Sequence, residues 1–153
     1  MQLNDAFTIS APPAQVWTVL DDVYRLSECV PGVEGVEETG PDTYTGLLVV
    51  KVGPISSRFS GKVHFIERIP AEKLVAEVEG QDKTSATFIT ATFTGVLAED
   101  PAGTALSYEV DVALRGRLAQ FGLAVVQATA KKLTREFAKC LEAKLSVPAP
   151  SDS

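Results

Sequence analysis

The chain has 153 residues, enough for one domain with a real core, and its 45% apolar and 22% charged content excludes a disordered or fibrous protein. No run of about 18 apolar residues is present to cross a bilayer, and MQLNDAFTIS lacks the basic-then-apolar pattern of a secretory leader. The net charge of −6 is uneven: residues 1–114 carry −10, residues 115–145 carry +5, and Asp152 adds one negative charge; an acidic body argues against nucleic-acid binding and leaves one basic stretch for an anionic partner.

Leu3, Phe7 and Ile9 alternate with polar residues and predict a first strand, with Asp5 in the same phase. Ser10, just ahead of Ala11-Pro12-Pro13, reads as a helix N-cap, since prolines fit the first turn. Val16, Trp17 and Leu20 then give a short helix apolar on one side. A second short helix over 24–29 is stopped by Pro31-Gly32. Six strands follow, over 33–39, 44–52, 55–66, 74–80, 85–97 and 104–114, with turn-forming residues between them. Links this short pair consecutive strands antiparallel, as a meander.

The last long run, 118–145, contains no proline and returns apolar residues at Leu118, Phe121, Val125, Leu133, Phe137, Cys140, Leu141 and Leu145. This spacing predicts a single helix of about 42 Å. Its first half, to Ala130, has no formal charge and should be covered by the rest of the chain; its second half sets Lys131, Lys132, Arg135 and Lys139 outward. The simplest reading of that basic face is solvation, the sharper one a surface for a partner. The order strand, two short helices, six strands, long helix is an α+β arrangement in which an antiparallel sheet curls around the helix and leaves a cavity where the two diverge. Phe7, Val16, Trp17, Val63, Tyr108, Val110, Leu133 and Phe137 should be buried. The domain spans 1–146, and the Pro/Ala/Ser-rich residues 147–153 should be disordered.

Chemistry-bearing residues are few. His64, the only histidine, falls on the polar phase of its strand. Cys29 and Cys140 lack metal-ligand spacing and do not make a disulfide framework, which points to reduced thiols, a cytoplasmic setting and Cys29 as a small buried apolar residue. There is no glycine-rich phosphate loop. Of Asp5, Glu109 and Asp111, only Asp5 shares its strand's inward phase. The expected protein is not an enzyme, and no metal site or covalent cofactor is expected. What remains is an apolar pocket on the order of 300–1,000 Å³. Its expected lining is Leu48, Val50, Phe59, Ile89, Phe93, Tyr108, Phe121, Val125 and Thr129, with Cys29, Pro31 and Gly32 at one mouth. Gly122, Ala124, Ala128 and Ala130 leave it room, and Tyr108 and Thr129 are the uncharged polar groups placed inside.

Several strings occur together in order: Cys29-Val30-Pro31-Gly32, Lys51-Val52-Gly53-Pro54-Ile55, Phe59-Ser60-Gly61-Lys62-Val63 and Gly116-Arg117-Leu118-Ala119-Gln120-Phe121-Gly122, then Ala130-Lys131-Lys132-Leu133 and Phe137. Over about residues 1 to 145 the chain thereby resembles the family of the G subunit of carbon monoxide dehydrogenase, within the polyketide cyclase, START-like and Bet v 1-like superfamily. The resemblance implies a helix-grip fold. It also implies association with a molybdenum–flavin–iron–sulfur dehydrogenase that oxidises carbon monoxide or a related substrate, which the family member tethers to the membrane or links to the quinone pool without carrying the catalytic metal. Many relatives have a longer C-terminal tail, often membrane-binding. This chain ends at Ser153, so the basic helix face is expected to meet the protein partner in preference to lipid, with peripheral contact at the inner face of the cell membrane. The expected function is non-catalytic binding of a hydrophobic small molecule, a respiratory quinone (menaquinone or ubiquinone) in first place. A structural adaptor with a solid core is the alternative, followed by a cyclase or hydrolase that uses the same cavity and an inward acid such as Asp5.

Overall fold

The computed structural model describes residues 1–146. Strand β1 (Gln2–Ile9) leads into helices α1 (Pro13–Leu20) and α2 (Val23–Cys29). Six strands follow: β2 (Val33–Gly40), β3 (Thr43–Val52), β4 (Ile55–Ile69), β5 (Lys73–Asp82), β6 (Thr87–Asp100) and β7 (Gly103–Arg115). A 3-10 helix (Arg117–Phe121) then precedes α3 (Gly122–Ser146). The strands form one antiparallel sheet in the order β1-β7-β6-β5-β4-β3-β2, so the meander is as expected and β1 closes it on the far side of β7. Side chains alternate across the sheet, and Phe59, Phe65, Leu97 and Leu106 point inward and are buried. A bulge between Phe65 and Glu67 turns Ile66 into solvent and carries β4 on to Ile69, beyond the expected end at 66.

Three local expectations change. Pro12, not Ser10, is the N-cap of α1, and the Ser10 N–H donates instead to the Glu142 carboxylate at 3.0 Å. Helix α2 is capped by Asp22, whose Oδ1 accepts from the Tyr24 and Arg25 N–H groups at 3.1 and 3.3 Å. The long helical run is broken: Gly116 and Gly122 have φ of +101° and +83°, a region open to glycine, and they bracket the 3-10 helix before α3 begins. The uncharged first half of α3 is also not covered on every side. Val125, Val126, Thr129 and Ala130 are half-buried, while Leu123, Ala124, Gln127 and Ala128 are exposed on the opposite side. The expected disorder of 147–153 lies outside the described residues.

The core is in two pieces. The larger gathers Ile9, Val16, Trp17, Val19, Leu20, Phe65, Leu74, Leu97, Leu106 and Leu141 where α1, α2 and the end of α3 meet one end of the sheet. The smaller is Val52, Phe59 and Leu118, with Leu48, Val50, Ile55, Ile89, Leu114, Phe121 and Val125 around it, at the other end. Val16 and Trp17 are buried as expected, Trp17 being 8% exposed. Phe7, Val63, Tyr108, Val110, Leu133 and Phe137 are only half-buried: Phe7, Val63 and Phe137 pack at the margin of the larger cluster, while Tyr108, Val110 and Leu133 belong to neither cluster. The two cysteines are not free: Cys29 and Cys140, 111 residues apart, form a disulfide that ties α2 to α3.

Candidate functional site: the space between α3 and the sheet

Helix α3 crosses the sheet diagonally. At its start the β3–β4 turn touches it: a side chain added at Gly53 would lie 3.6 to 3.8 Å from Val125 and Phe121. Near its end, Phe137 packs edge-on against Phe7 of β1 with ring centroids 6.1 Å apart, and Glu142 holds Ser10. Between those anchors the inward side chains Val78, Ala91, Phe93, Tyr108 and Val110 of β5, β6 and β7 belong to neither cluster and are half-buried although they face the helix. Solvent therefore reaches an apolar surface inside the molecule, where a solid core would exclude it.

The residues expected to line this space fall into three groups. Leu48, Val50, Phe59, Ile89, Phe121 and Val125 sit together in the smaller cluster. Phe93 and Tyr108 stack with centroids 5.6 Å apart in the gap between the clusters. Thr129 is half-buried on the inner side of α3, but its hydroxyl donates to the Val125 carbonyl at 3.0 Å. The expected mouth is different in kind. Cys29 is 2% exposed and bonded to Cys140, while Pro31 and Gly32 continue onto the edge of the sheet, where Val49 N donates to the Gly32 carbonyl at 2.9 Å.

A cleft of about 190 Å³ reaches Tyr108 from the other flank, between β1 and α3, past Gln2, Leu3, Asn4, Gln127, Ala130 and Lys131. A larger concavity of about 620 Å³ lies on the outer face of the sheet and is lined by Lys62, His64, Glu77, Glu79, Thr90, Thr92 and Asp111. It is an open polar trough on the side away from α3, so the cleft at Tyr108 is the one that bears on the interior. His64 is exposed there, as its phase implied.

Tyr108 carries the polar chemistry of the interior. Its hydroxyl lies 2.5 Å from Thr134 Oγ1, which is also 2.9 Å from the Ala130 carbonyl. When the single Thr134 proton points to Ala130, Tyr108 donates to Thr134 and its oxygen is left to accept; when that proton turns to Tyr108, the phenol proton is free for a ligand carbonyl. Burial raises the Tyr108 pKa, the Thr134 hydrogen bond opposes this and the negative charge of Asp5, opposite it in register, adds to it, so the phenol stays neutral at physiological pH. Ser57 is a polar group that the sequence reading does not single out. It shares the inward phase of Ile55 and Phe59, is 1% exposed, and its Oγ has no hydrogen-bond partner. Alternation alone could have found it, since Ser57 stands two residues from each.

A second buried polar group fastens the end of the site. Asp82 accepts from Ser85 Oγ at 2.9 Å, Thr84 N at 3.0 Å and Arg58 N at 3.2 Å. Ser85 Oγ, its one proton given to Asp82, also lies 2.9 Å from Thr87 Oγ1, whose hydroxyl can donate to it and which accepts the Leu118 N–H at 3.4 Å. Burial acts to raise the Asp82 pKa, but the hydrogen bonds from Ser85, Arg58 and Thr84 outweigh it and hold the carboxyl below its ordinary value. Among the described residues no group of three or more His, Cys, Asp or Glu could hold a metal ion, and no helix is long and apolar enough to cross a membrane.

A seven-stranded antiparallel sheet curled over a long C-terminal helix, with two short helices after the first strand, defines the helix-grip class of START-like and Bet v 1-like domains. The chain belongs to the CoxG family, that of the G subunit of carbon monoxide dehydrogenase, whose model matches residues 6–146. No curated protein matches it in sequence. A conserved protein from Geobacillus kaustophilus has the same fold at TM-score 0.87 and 21% identity, covering 95% of each chain. The Zhui aromatase/cyclase from Streptomyces sp. R1128 is similar at TM-score 0.68 and 16% identity over 95% of this chain and 93% of its own. A protein from Thermus thermophilus is similar at 0.68 and 16% over 95% and 100%.

Proposed function

We propose that this protein is a non-catalytic accessory subunit of a molybdenum-containing, carbon monoxide dehydrogenase-type enzyme. In this reading it holds a hydrophobic small molecule between α3 and the sheet and links the enzyme to the membrane quinone pool. The observation that carries the ligand part is the divided core: apolar side chains that face the helix yet remain half-buried between two sealed clusters. Unfilled apolar space costs roughly 24 cal/mol per Å³ in core-truncation series, and an apolar ligand removes that cost. The favoured ligand is a respiratory quinone, menaquinone or ubiquinone. Its isoprenoid chain suits the walls around Phe93 and Val110, and its ring oxygens suit the Tyr108–Thr134 pair, which offers a donor or an acceptor. The unpartnered Ser57 Oγ is a further polar atom for such a ring.

Native mass spectrometry of the purified protein, followed by solvent extraction, should reveal a quinone-sized lipid. Ala91→Trp, on the inner face of β6, tests the space directly. If the space exists, the indole fills it at less than about 1 kcal/mol of lost stability and abolishes binding of a quinone analogue. In a solid core the same change would overpack and cost about 1–3 kcal/mol. That outcome, with no extractable lipid, would favour the structural adaptor. Turnover of a soluble substrate, lost in Asp5→Asn, would favour a cyclase-like enzyme.

A further inference from the structure

We propose that the cleft between β1 and α3 is the portal of the interior: an elongated amphipathic molecule enters there apolar end first, runs beneath α3 toward β4, and leaves its polar end at Tyr108. The proposal rests on the carrier reading above and gives it a route, an orientation and a ligand length. Helix α3 and β1 diverge from a common end. There the Ser10 N–H donates to Glu142, and Phe137 meets Phe7 with ring centroids 6.1 Å apart. Farther back toward its N-terminus α3 swings away to the β3–β4 turn, where Val125 and Phe121 approach Gly53. The angle so formed holds the cleft of about 190 Å³, which passes between Leu3 and Asn4 of β1 and Gln127 and Ala130 of α3 to reach Tyr108. On the opposite flank α2 bridges β2 and α3. It is fastened there by the Cys29–Cys140 disulfide and by Lys144, whose ammonium lies 2.6 Å from the Glu28 carboxylate.

The inner face of the sheet leads on from the cleft. Leu3 stands opposite Val110 and Val110 opposite Phe93, all three half-buried in one row across β1, β7 and β6. The Phe93 ring lies beside Gly95, where an added side chain would come within 3.1 Å of it, and it stacks on Tyr108 with centroids 5.6 Å apart. This stack stands between the cleft and the next inward pair, Leu97 and Leu106 of the larger cluster. The open direction is therefore the other one, past Ala91 and Val78, which are paired in register and half-buried. Beyond them the floor loses its side chains. Gly46, Gly61 and Gly80 stand side by side on β3, β4 and β5 in the inward phase. A side chain added at Gly61 would meet only backbone, the carbonyl oxygens of Glu79 at 3.5 Å and Gly46 at 3.8 Å. Val110 and Gly61 are three strand spacings and four residues apart, about 20 Å on the diagonal. That length suits an extended apolar chain. The cleft itself offers polar partners, the Tyr108–Thr134 hydroxyl pair and the Gln2, Asn4 and Gln127 amides. A polar end entering first would shed its water over Val110, Ala91 and Val78, which costs more than sliding an apolar end along the same walls.

The test loads the full chain with decylubiquinone and times its release to, and its uptake from, phosphatidylcholine vesicles. Gln127→Trp, at an exposed position of the cleft, and Ala130→Trp should each slow both directions about tenfold or more and keep the ratio of the two rates within about twofold, as a narrowed entrance does. Lys132→Trp adds the same bulk on the exposed side of α3 away from the cleft and should leave both rates unchanged. Gly61→Leu meets no side chain and no left-handed backbone, so it should melt with the parent. It should nevertheless lower the uptake-to-release ratio about tenfold or more, because the inner end of the route is filled. Parent-like rates in both cleft variants, slowing by Lys132→Trp instead, or full binding by Gly61→Leu would overturn the route and leave the carrier reading standing. A parent chain that takes up no decylubiquinone would sink both.

Discussion

The two ends of this molecule are closed in opposite ways. At one, α1 and α2 cap the sheet over a core that contains Trp17, Phe65 and Leu141, and a disulfide ties α2 to α3. Several carboxylates there are paired with cations. Arg68 bonds Asp21 at 3.1 Å and Asp42 at 3.3 Å while lying over the Phe65 ring, and Lys144 bonds Glu28 at 2.6 Å. At the other end three buried apolar residues, Val52, Phe59 and Leu118, make the seal, and a 3-10 helix held between two left-handed glycines is the cover. Buried contacts set how readily a region opens. The clasped end is therefore expected to be the more rigid one, and the lightly sealed, basic end the one that opens more readily.

The largest expected contrast comes from the two seals. Trp17→Ala should cost about 3–5 kcal/mol and lower the global melting transition. Leu118→Ala should cost nearer about 2 kcal/mol and speed hydrogen exchange mainly in the 3-10 helix and the β3–β4 turn. Equal global effects would erase the distinction between the ends. Removing the clasp with Cys29→Ser and Cys140→Ser should cost about 2–4 kcal/mol, since the link closes a long loop. Its exchange signature should appear in α2 and leave the basic end unchanged; faster exchange at residues 83–87 instead would mean that the two ends are coupled.

The smallest effect sharpens the comparison by pH. Because the folded pKa of Asp82 lies below its unfolded value, its ionised form contributes stability above about pH 4 that is lost as the pH falls through the folded pKa. Asp82→Asn should cost about 1–2 kcal/mol at neutral pH. The gap from the parent should narrow in acid, as read by urea denaturation between about pH 6 and pH 3. A constant gap would show that Asp82 contributes through shape and not charge.

Much of the fold was legible because its signals are local. Alternation assigned Phe59, Phe93 and Tyr108 to the inner face, and Gly53-Pro54 marked a two-residue turn. Local signals also misled. Ser10 looks like a cap, yet the helix starts after Pro12. Gly122, in sequence a small residue that leaves room, is where the chain turns out of the 3-10 helix. The first half of α3 looks as if it must be covered because it carries no charge, but absence of charge does not say which neighbour is present.

By itself, then, the sequence determined the order of elements, the inward phase of each strand and the charge of each segment, since these depend on side chains a few positions apart. It also carried the family's ordered strings. Tertiary structure alone decided what depends on distant residues meeting. Cys29 found Cys140 across 111 residues, where no spacing rule foretells a pair. The diagonal path of α3 divided one expected core into two clusters with a half-buried stretch between them. Lys51, Lys83, Arg115 and Arg117 gather at one end of the molecule because three connections from separate parts of the chain finish at the same end of a curled sheet.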